Sequence, residues 1–305
     1  MKAAVVGVGH LGRHHARILA SLPGLSLAGV VDTDRQRASD IAREFGTRAF
    51  DDVRRIEGLE LAVIATPTES HAAIALPLIE CGVHTLVEKP LAATLAEADA
   101  LIAAAKTTGA VFAVGHSERF NPAVVAARPY VTDPRFIEVH RLGTQLGRSL
   151  DLDVVLDLMI HDLDLILSMV PSEVDSVEAV GVPVLTPKVD IANARVRFKN
   201  GCIANLTASR ISKDQIRKIR FFQRERYVSI DSAAREVEML QLMPQPGATP
   251  KIGGGKLAVP GDEPLRNELE DFVGAVRERR APAVTGEQGR AALALALQIV
   301  ELMKP

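Results

Sequence analysis

Ala3-Ala4-Val5-Val6-Gly7-Val8-Gly9-His10-Leu11-Gly12 is a short apolar run closed by a Gly-x-Gly-x-x-Gly turn. An unbroken apolar run of this kind suits a strand buried on both faces of a parallel sheet. Leu11, Ile18, Leu19 and Leu22 then recur at helical spacing until Pro23-Gly24. The glycines therefore lie between a buried strand and a helix. In that setting they let the backbone approach a pyrophosphate, which rests on the unpaired N–H groups of the helix N-terminus. The plain alternative is a tight strand–helix turn with no ligand.

Working outward, the alternation continues. Residues 27–31 predict a second strand, and 34–45 a helix with Ala38, Ile41, Ala42 and Phe45 on one face, stopped by Gly46. Residues 61–65 predict another buried strand and 70–80 a helix. Two more strands, 85–87 and 111–114, flank a helix over 95–106. Strict alternation of this kind defines an α/β fold with a doubly wound, Rossmann-type parallel sheet.

After Gly115 the rhythm changes. Candidate strands at 135–141, 174–182, 191–198, 202–209, 216–222 and 227–230 follow with little helix between them, and Asn200-Gly201 fits a type I′ hairpin. One helix, 153–169, interrupts this α+β part, whose sheet is expected to be large, open and mainly antiparallel. Residues 244–264, rich in glycine and proline, read as a loop with Gly253-Gly254-Gly255 its most mobile part. Helices at 265–279 and 287–303 end the chain. A length of 305 residues favours two domains. The change of rhythm puts them at 1–118, binding a dinucleotide, and 119–305, binding substrate and mediating oligomerisation.

The bulk numbers exclude several classes. Hydrophobic content of 47% with 24% charged residues is ordinary for a globular protein. A net charge of -2 exerts no long-range pull on nucleic acid or anionic membrane, so an anionic substrate needs local basic residues. Two cysteines, Cys81 and Cys202, make no disulfide framework and suit a reducing cytosol. There is no basic–apolar–small leader pattern and no bilayer-length apolar stretch. The expectation is a cytoplasmic protein with neither a nucleic-acid partner nor membrane insertion.

Asp32 ends the second predicted strand, where a carboxylate accepts bonds from the adenosine ribose hydroxyls. It favours NAD over NADP, with Arg35 and Arg37 near enough in sequence to weaken that preference. Lys89, in Glu88-Lys89-Pro90, lies just past the carboxyl end of a parallel strand, the ligand side of an open α/β sheet. Pro90 restricts its backbone to extended geometry. A lysine buried beside a cationic nicotinamide releases its proton more readily and could share one with a substrate hydroxyl; a surface lysine at a strand end is the alternative. Asp157 and His161 are four apart and share a helix face, in a polar stripe with Asp153 and Asp164 on an otherwise apolar segment that includes Leu152. That stripe is either the solvated side of an amphipathic helix or an active-site wall, with His161 as general base and Asp157 orienting it. No further ligand cluster accompanies the pair, so no metal is expected. His10, His14 and His15 read as turn and helix-surface histidines, with His10 placed to touch a cofactor.

Gly7-x-Gly9-x-x-Gly12, Thr66-Pro67, Glu88-Lys89-Pro90 and Asp157-x-x-x-His161 together resemble the glucose-fructose oxidoreductase and inositol dehydrogenase (Gfo/Idh/MocA) family. The motifs fall in the same order with similar spacing over essentially the whole chain. The resemblance implies an NAD-dependent oxidoreductase acting on CH–OH groups, with Lys89, Asp157 and His161 catalytic. It implies cofactor contacts from Gly7, Gly9, His10, Leu11, Gly12, Asp32, Thr66, Pro67, His71, Glu88 and Lys89. His71 reads equally as a helix-capping or surface residue. This chain departs from many members in having Asp153-Val154-Val155-Leu156 where they carry a glycine cluster.

Glu118-Arg119-Phe120-Asn121-Pro122 resembles the Arg-x-Asn-Pro segment of members acting on nucleotide-linked sugars. That implies Glu118, Arg119 and Asn121 as substrate contacts beside Asp157 and His161. On the residues alone, Arg119 could instead pair with a carboxylate and Asn121 cap a helix starting at Pro122. Arg195, Arg210, Arg217 and Lys218 could hold a diphosphate or sit on the exposed face of a sheet. The stretch 180–222 is similar to members that oxidise UDP-N-acetylglucosamine at its C3 hydroxyl, ahead of 3-amination in lipid A precursor synthesis. The implied partners are a nucleotide-sugar substrate, a downstream aminotransferase and further copies of the chain, as homodimer or homotetramer. Two alternatives stand beside this: a dehydrogenase of a free polyol or sugar of the inositol type, and a non-catalytic NAD-sensing regulator.

Overall fold

A computed structural model describes residues 1–144, 153–245 and 249–304. The chain divides into two compact units. The first begins with strands β1 (Lys2–Val6), β2 (Ser26–Val31), β3 (Ala49–Phe50), β4 (Leu61–Ile64), β5 (His84–Glu88) and β6 (Phe112–Gly115). Between them run helices α1 (His10–Ser21), α2 (Arg35–Glu44), α3 (His71–Glu80) and α4 (Leu95–Thr108). Among the described residues these strands form a six-stranded sheet in the order β3-β2-β1-β4-β5-β6, with every pair parallel. The order reverses between β1 and β4, where such sheets open a ligand crevice at their carboxyl ends. Local chemistry sets the helix ends. Asp34 caps α2 through the Gln36 and Arg37 N–H groups, Thr94 and Glu97 form a capping box on α4, and Gly109 ends α4 in the left-handed region.

The second unit holds the short helix α5 (Pro122–Ala127) and an eight-stranded sheet counted over the described residues. Its strands are β7 (Pro134–Thr144), β8 (Val174–Val182), β9 (Ile191–Phe198), β10 (Ile203–Ser209), β11 (Ile211–Gln223), β12 (Arg226–Asp231), β13 (Glu236–Met243) and β14 (Lys251–Lys256). They are ordered β14-β13-β12-β11-β7-β10-β9-β8. Only β10 and β7 pair in parallel; the other neighbours are antiparallel. Along β9, Ala192, Ala194, Val196 and Phe198 are buried while Asn193, Arg195 and Arg197 point outward, the period-two pattern of a sheet covered on one face.

Three expectations need correction. The single helix over 153–169 is one turn of π-helix, Val155–Met159, followed by α6 (Ile160–Met169); Leu152 lies outside the described residues. The supposed loop over 244–264 contains β14, paired along β13. Its glycines permit close approach rather than slack: a Cβ on Gly254 would lie 2.0 Å from the Met239 carbonyl oxygen. Residues 246–248 of that stretch lie outside the described residues. Finally, the chain after 118 does not all belong to the second unit. Helices α7 (Pro264–Glu278) and α8 (Gly286–Leu302) end the chain; residues Leu265–Leu293 belong to the first unit, and Ala294–Pro305, with the rest of α8, to the second. Leu269, Phe272, Val273 and Val276 join Val5, Ile18 and Leu19 in one core. No helix among the described residues is long and apolar enough to cross a membrane.

Asp190, just before β9, is a hub of the second unit. Its Oδ2 accepts the N–H groups of Val184, Leu185 and Thr186 at 2.8, 2.6 and 2.9 Å, and its Oδ1 accepts the Thr186 hydroxyl at 2.8 Å. Burial alone would raise this carboxyl, but the four donors hold it down to about 2. A depressed carboxylate stabilises the fold above its ordinary value near 4 and loses that contribution as pH falls through about 2. Asp190→Ala should cost roughly 2 to 4 kcal/mol at neutral pH. In urea melts the gap between the two proteins should narrow on acidification toward pH 2; a gap independent of pH would contradict this account.

Candidate active site

The turn between β1 and α1 is built for a close approach. Gly7 has φ +83, and a Cβ there would lie 2.7 Å from the Ala65 carbonyl oxygen. A Cβ on Gly12 would lie 1.8 Å from the Gly7 carbonyl oxygen. At Gly9 the equivalent position meets no atom within 4 Å, so the middle of the turn has room above it. Gly9 caps α1 without a side-chain bond, and the first turn carries no acid. An uncapped helix N-terminus under an open glycine fits the pyrophosphate of a dinucleotide. His10 and Leu11 are exposed at the same end, the His10 ring edge-on to His14 at 5.2 Å.

Asp32 follows β2 and is nearly enclosed. Its Oδ2 accepts the Val8 N–H at 2.9 Å, its Oδ1 accepts the Asp34 N–H at 2.9 Å, and Arg37 grips both oxygens at 3.1 and 2.8 Å. Burial would raise the carboxyl, yet the Arg37 bond and the two N–H groups keep it below the usual carboxylate range. The carboxylate is thus held in a fixed orientation at the carboxyl end of β2, with Arg37 across both its oxygens.

Thr66 and Pro67 follow β4. The Ser70 hydroxyl donates to Thr66 Oγ1 at 2.8 Å, and Pro67 is exposed. His71 is neither cap nor surface residue. It is buried, with Nδ1 3.0 Å from the Pro90 carbonyl oxygen and Nε2 2.8 Å from that of Thr66. Both ring nitrogens face backbone carbonyls. At the end of β5, Glu88 is buried and Lys89 half-buried, and the Lys89–Pro90 peptide is cis. The Lys89 N–H donates to Glu88 Oε2 at 3.2 Å. His15, expected on the helix surface, is instead fully buried against Glu88.

In the second unit Asp157 lies in the π turn and His161 in the first turn of α6, both half-buried. Buried charge pairs surround them in sequence. Arg119 Nε and Nη2 donate to the two oxygens of Asp164, each at 2.6 Å. Arg141 forks onto Asp162 at 2.7 and 2.8 Å and reaches Glu118 Oε1 at 3.3 Å. Asn121 Oδ1 caps α5 at the Ala123 N–H, and its amide donates to the Ser232 carbonyl. Glu118, Arg119 and Asn121 thus each make a polar contact within the second unit. The pairing and capping alternatives hold for Arg119 and Asn121.

Arg210 is likewise buried beside Asp190, with Nε 3.9 Å from its carboxylate, and cannot serve a diphosphate. Arg195 is exposed and donates to Asn205. Arg217, of β11, lines a cavity of about 290 Å³ with Thr144, Leu158 and Gln215, and Lys218 follows it half-buried. Sequence reasoning missed Arg141 and Asp162. The available signal was an arginine on the inward phase of β7, which needs a buried acid. A cavity of about 600 Å³ in the first unit, lined by His84 and Phe112, lies at the amino ends of β5 and β6, the wrong end of the sheet for the nucleotide.

Two outcomes follow. Asp32→Ser should weaken NAD binding about tenfold, the loss of a charged hydrogen-bond acceptor, and strengthen NADP relative to NAD. Fluorescence titration with both reduced cofactors checks this, and an unchanged NADP-to-NAD ratio would remove Asp32 from the ribose site. Arg119→Met should cost roughly 3 to 5 kcal/mol by stranding Asp164, and adding Asp164→Leu should recover much of it. Denaturant melts of the single and double variants would expose the contrary case, in which the losses simply add.

Comparison with known proteins agrees with this geometry. Residues 1–116 match the family described as oxidoreductase family, NAD-binding Rossmann fold, and residues 136–225 match the GFO/IDH/MocA C-terminal domain. The chain is 40% identical over 304 residues to UDP-N-acetylglucosamine 3-dehydrogenase of Acidithiobacillus ferrooxidans, covering 98% of this chain and 96% of that one. A solved structure of the enzyme of that name from that organism superposes with a TM-score of 0.93 at 38% identity, over 99% and 97% of the two chains. The scyllo-inositol 2-dehydrogenase (NAD(+)) of Bacillus subtilis is 30% identical over 238 residues, 70% of this chain and 68% of that one. Both halves of the chain therefore point the same way, and the protein belongs to the GFO/IDH/MocA family as an NAD-dependent oxidoreductase.

Proposed function

We propose that the protein oxidises the C3 hydroxyl of UDP-N-acetylglucosamine to the 3-keto sugar. The observation that carries this reading is its 40% identity, over nearly the whole of both chains, to an enzyme named for that reaction. NAD, when bound, supplies the hydride acceptor. Gly7, Gly9, Gly12 and the start of α1 hold its pyrophosphate, and Asp32 its ribose hydroxyls. His161 takes the hydroxyl proton as general base, with Asp157 orienting the imidazole. Lys89 assists by stabilising the oxygen as its proton leaves. Arg217, beside Gln215 and Thr144 in the cavity of the second unit, offers an arginine fork to the diphosphate. The 3-keto sugar suits an aminotransferase as consumer, and the proposed setting is cytoplasmic lipid A precursor synthesis.

The test is NADH formation by the full chain with NAD and UDP-N-acetylglucosamine in the presence of a ketone trap. NADP, free N-acetylglucosamine and inositol run alongside. Turnover is expected with the UDP-sugar and NAD, and Lys89→Ala and His161→Ala should lower it by roughly 10² to 10⁴ while NAD binding persists. Turnover of inositol but not of the UDP-sugar overturns the substrate. Tight NAD binding with no turnover of any sugar favours a cofactor sensor.

A further inference from the structure

Lys89 stands between two residues, each tied to a buried histidine from a different helix. On its amino side, Glu88 Oε1 is 2.7 Å from His15 Nε2 of α1, while Glu88 Oε2 accepts the Lys89 N–H at 3.2 Å. On its carboxyl side, the Pro90 carbonyl is 3.0 Å from His71 Nδ1 of α3, whose Nε2 lies 2.8 Å from the Thr66 carbonyl. His15 is 0% and His71 1% exposed, and the proposed reaction uses neither. A carbonyl oxygen only accepts, so each contact is a hydrogen bond when the ring nitrogen that makes it carries the hydrogen. The ring then ties the exit of β4 to the turn after β5 from within.

The other contact has a third member. Glu268 of α7 is 2% exposed, and its carboxylate, that of Glu88 and the His15 ring nitrogen lie within 4.8 Å of one another. The 2.7 Å separation of His15 and Glu88 is a hydrogen-bond length, which holds a proton rather than an ion. Gly115 of β6 closes the remaining side, since a Cβ there would lie 2.9 Å from the Glu88 carboxylate. Glu88 is thus bonded to α1, faced by Glu268 of α7 and pressed against β6.

We propose that His15 and His71 are positioning residues for Lys89, two buried clamps on its flanking residues that fix where its side chain begins. The proposal rests on the reading of Lys89 as a proton-handling group. Lysine has a long, flexible stem, so its backbone origin is the part the fold can hold. A displacement of about 1 Å at such a group can cost about a hundredfold in rate.

The test compares full-length His15→Leu, His71→Leu, their glutamine counterparts and Glu268→Gln with the parent protein. One readout needs no substrate: trace acetylation of Lys89, measured by peptide mass spectrometry against the exposed Lys106 and Lys199. The other is kcat, KM and the NAD dissociation constant with UDP-N-acetylglucosamine. The leucine variants should change the Lys89 acetylation rate several-fold and lower kcat about tenfold to a hundredfold, with NAD affinity close to that of the parent. His15→Gln, whose amide can still donate to Glu88, should recover much of both. Unchanged acetylation and kcat in leucine variants that bind NAD overturn the proposal, as does a joint loss of kcat and NAD affinity that glutamine does not relieve. If the leucine variants fail to fold, the glutamine variants decide: His71→Gln and Glu268→Gln must shift acetylation and kcat together, and parent-like values in both overturn it. Lys89→Ala separates this inference from the function beneath it. Full turnover there removes the catalytic reading of Lys89, whereas lost turnover beside parent-like clamp variants removes only the clamps.

Discussion

Helix α1 meets strand β1 where no side chain fits, because a Cβ on Gly12 would stand 1.8 Å from the Gly7 carbonyl oxygen. With that contact made, the uncapped start of α1 comes up against the carboxyl end of the parallel sheet. His15, less than one turn beyond Gly12, then faces inward to Glu88. Shifting the helix outward by the width of a methyl group would undo both arrangements together. The N–H groups would leave the strand ends, and the 2.7 Å bond to Glu88 would open. Nucleotide cradle and lysine support are consequences of a single steric condition.

The second unit solves its positioning problem with charge. Asp162 and Asp164, both buried, each meet an arginine fork, Arg141 and Arg119. Taking such pairs out of water costs about as much as their attraction returns, so their contribution is to geometry more than to net stability. Two forks planar to two carboxylates fix the rotation of α6 about its axis. That fixes the half-buried presentation of Asp157 and His161 before any ligand arrives. The Asp190 hub does the same for the turn entering β9, using backbone donors in place of a second fork.

The first unit was legible because its strands are short continuous apolar runs and its helices carry capping chemistry. Most of the antiparallel strands were legible too, from alternation and the Asn200-Gly201 turn. The π turn was not, since nearly every position from 154 to 160 is apolar and no period distinguishes one helix type from another. β14 was missed because composition reports glycine as slack and cannot show the Met239 carbonyl lying opposite. Arg119 and Asn121 had two readings each, and only their partners decide between them. Asp164, part of a stripe read as either solvated or an active-site wall, is 1% exposed, and the arginine that compensates it, Arg119, comes from a distant part of the chain. His15 looked like a surface histidine for the same reason: its partner is Glu88, with Glu268, far along the sequence, close by.

The core of the nucleotide unit is written in two instalments. Residues Met1–Ser117 supply the sheet, and Leu265–Leu293 supply helical surface that shares its interior, including Leu269, Phe272 and Val276. On the ribosome the first instalment emerges long before the second, and domains fold as units when their residues are available. The second unit is divided in the same way, taking Glu118–Pro264 from the middle of the chain and Ala294–Pro305 from its end. Each unit therefore needs residues from the last part of the chain before its set is complete. A chain cut after residue 117 would yield a sheet with an open seam rather than a small dinucleotide-binding protein.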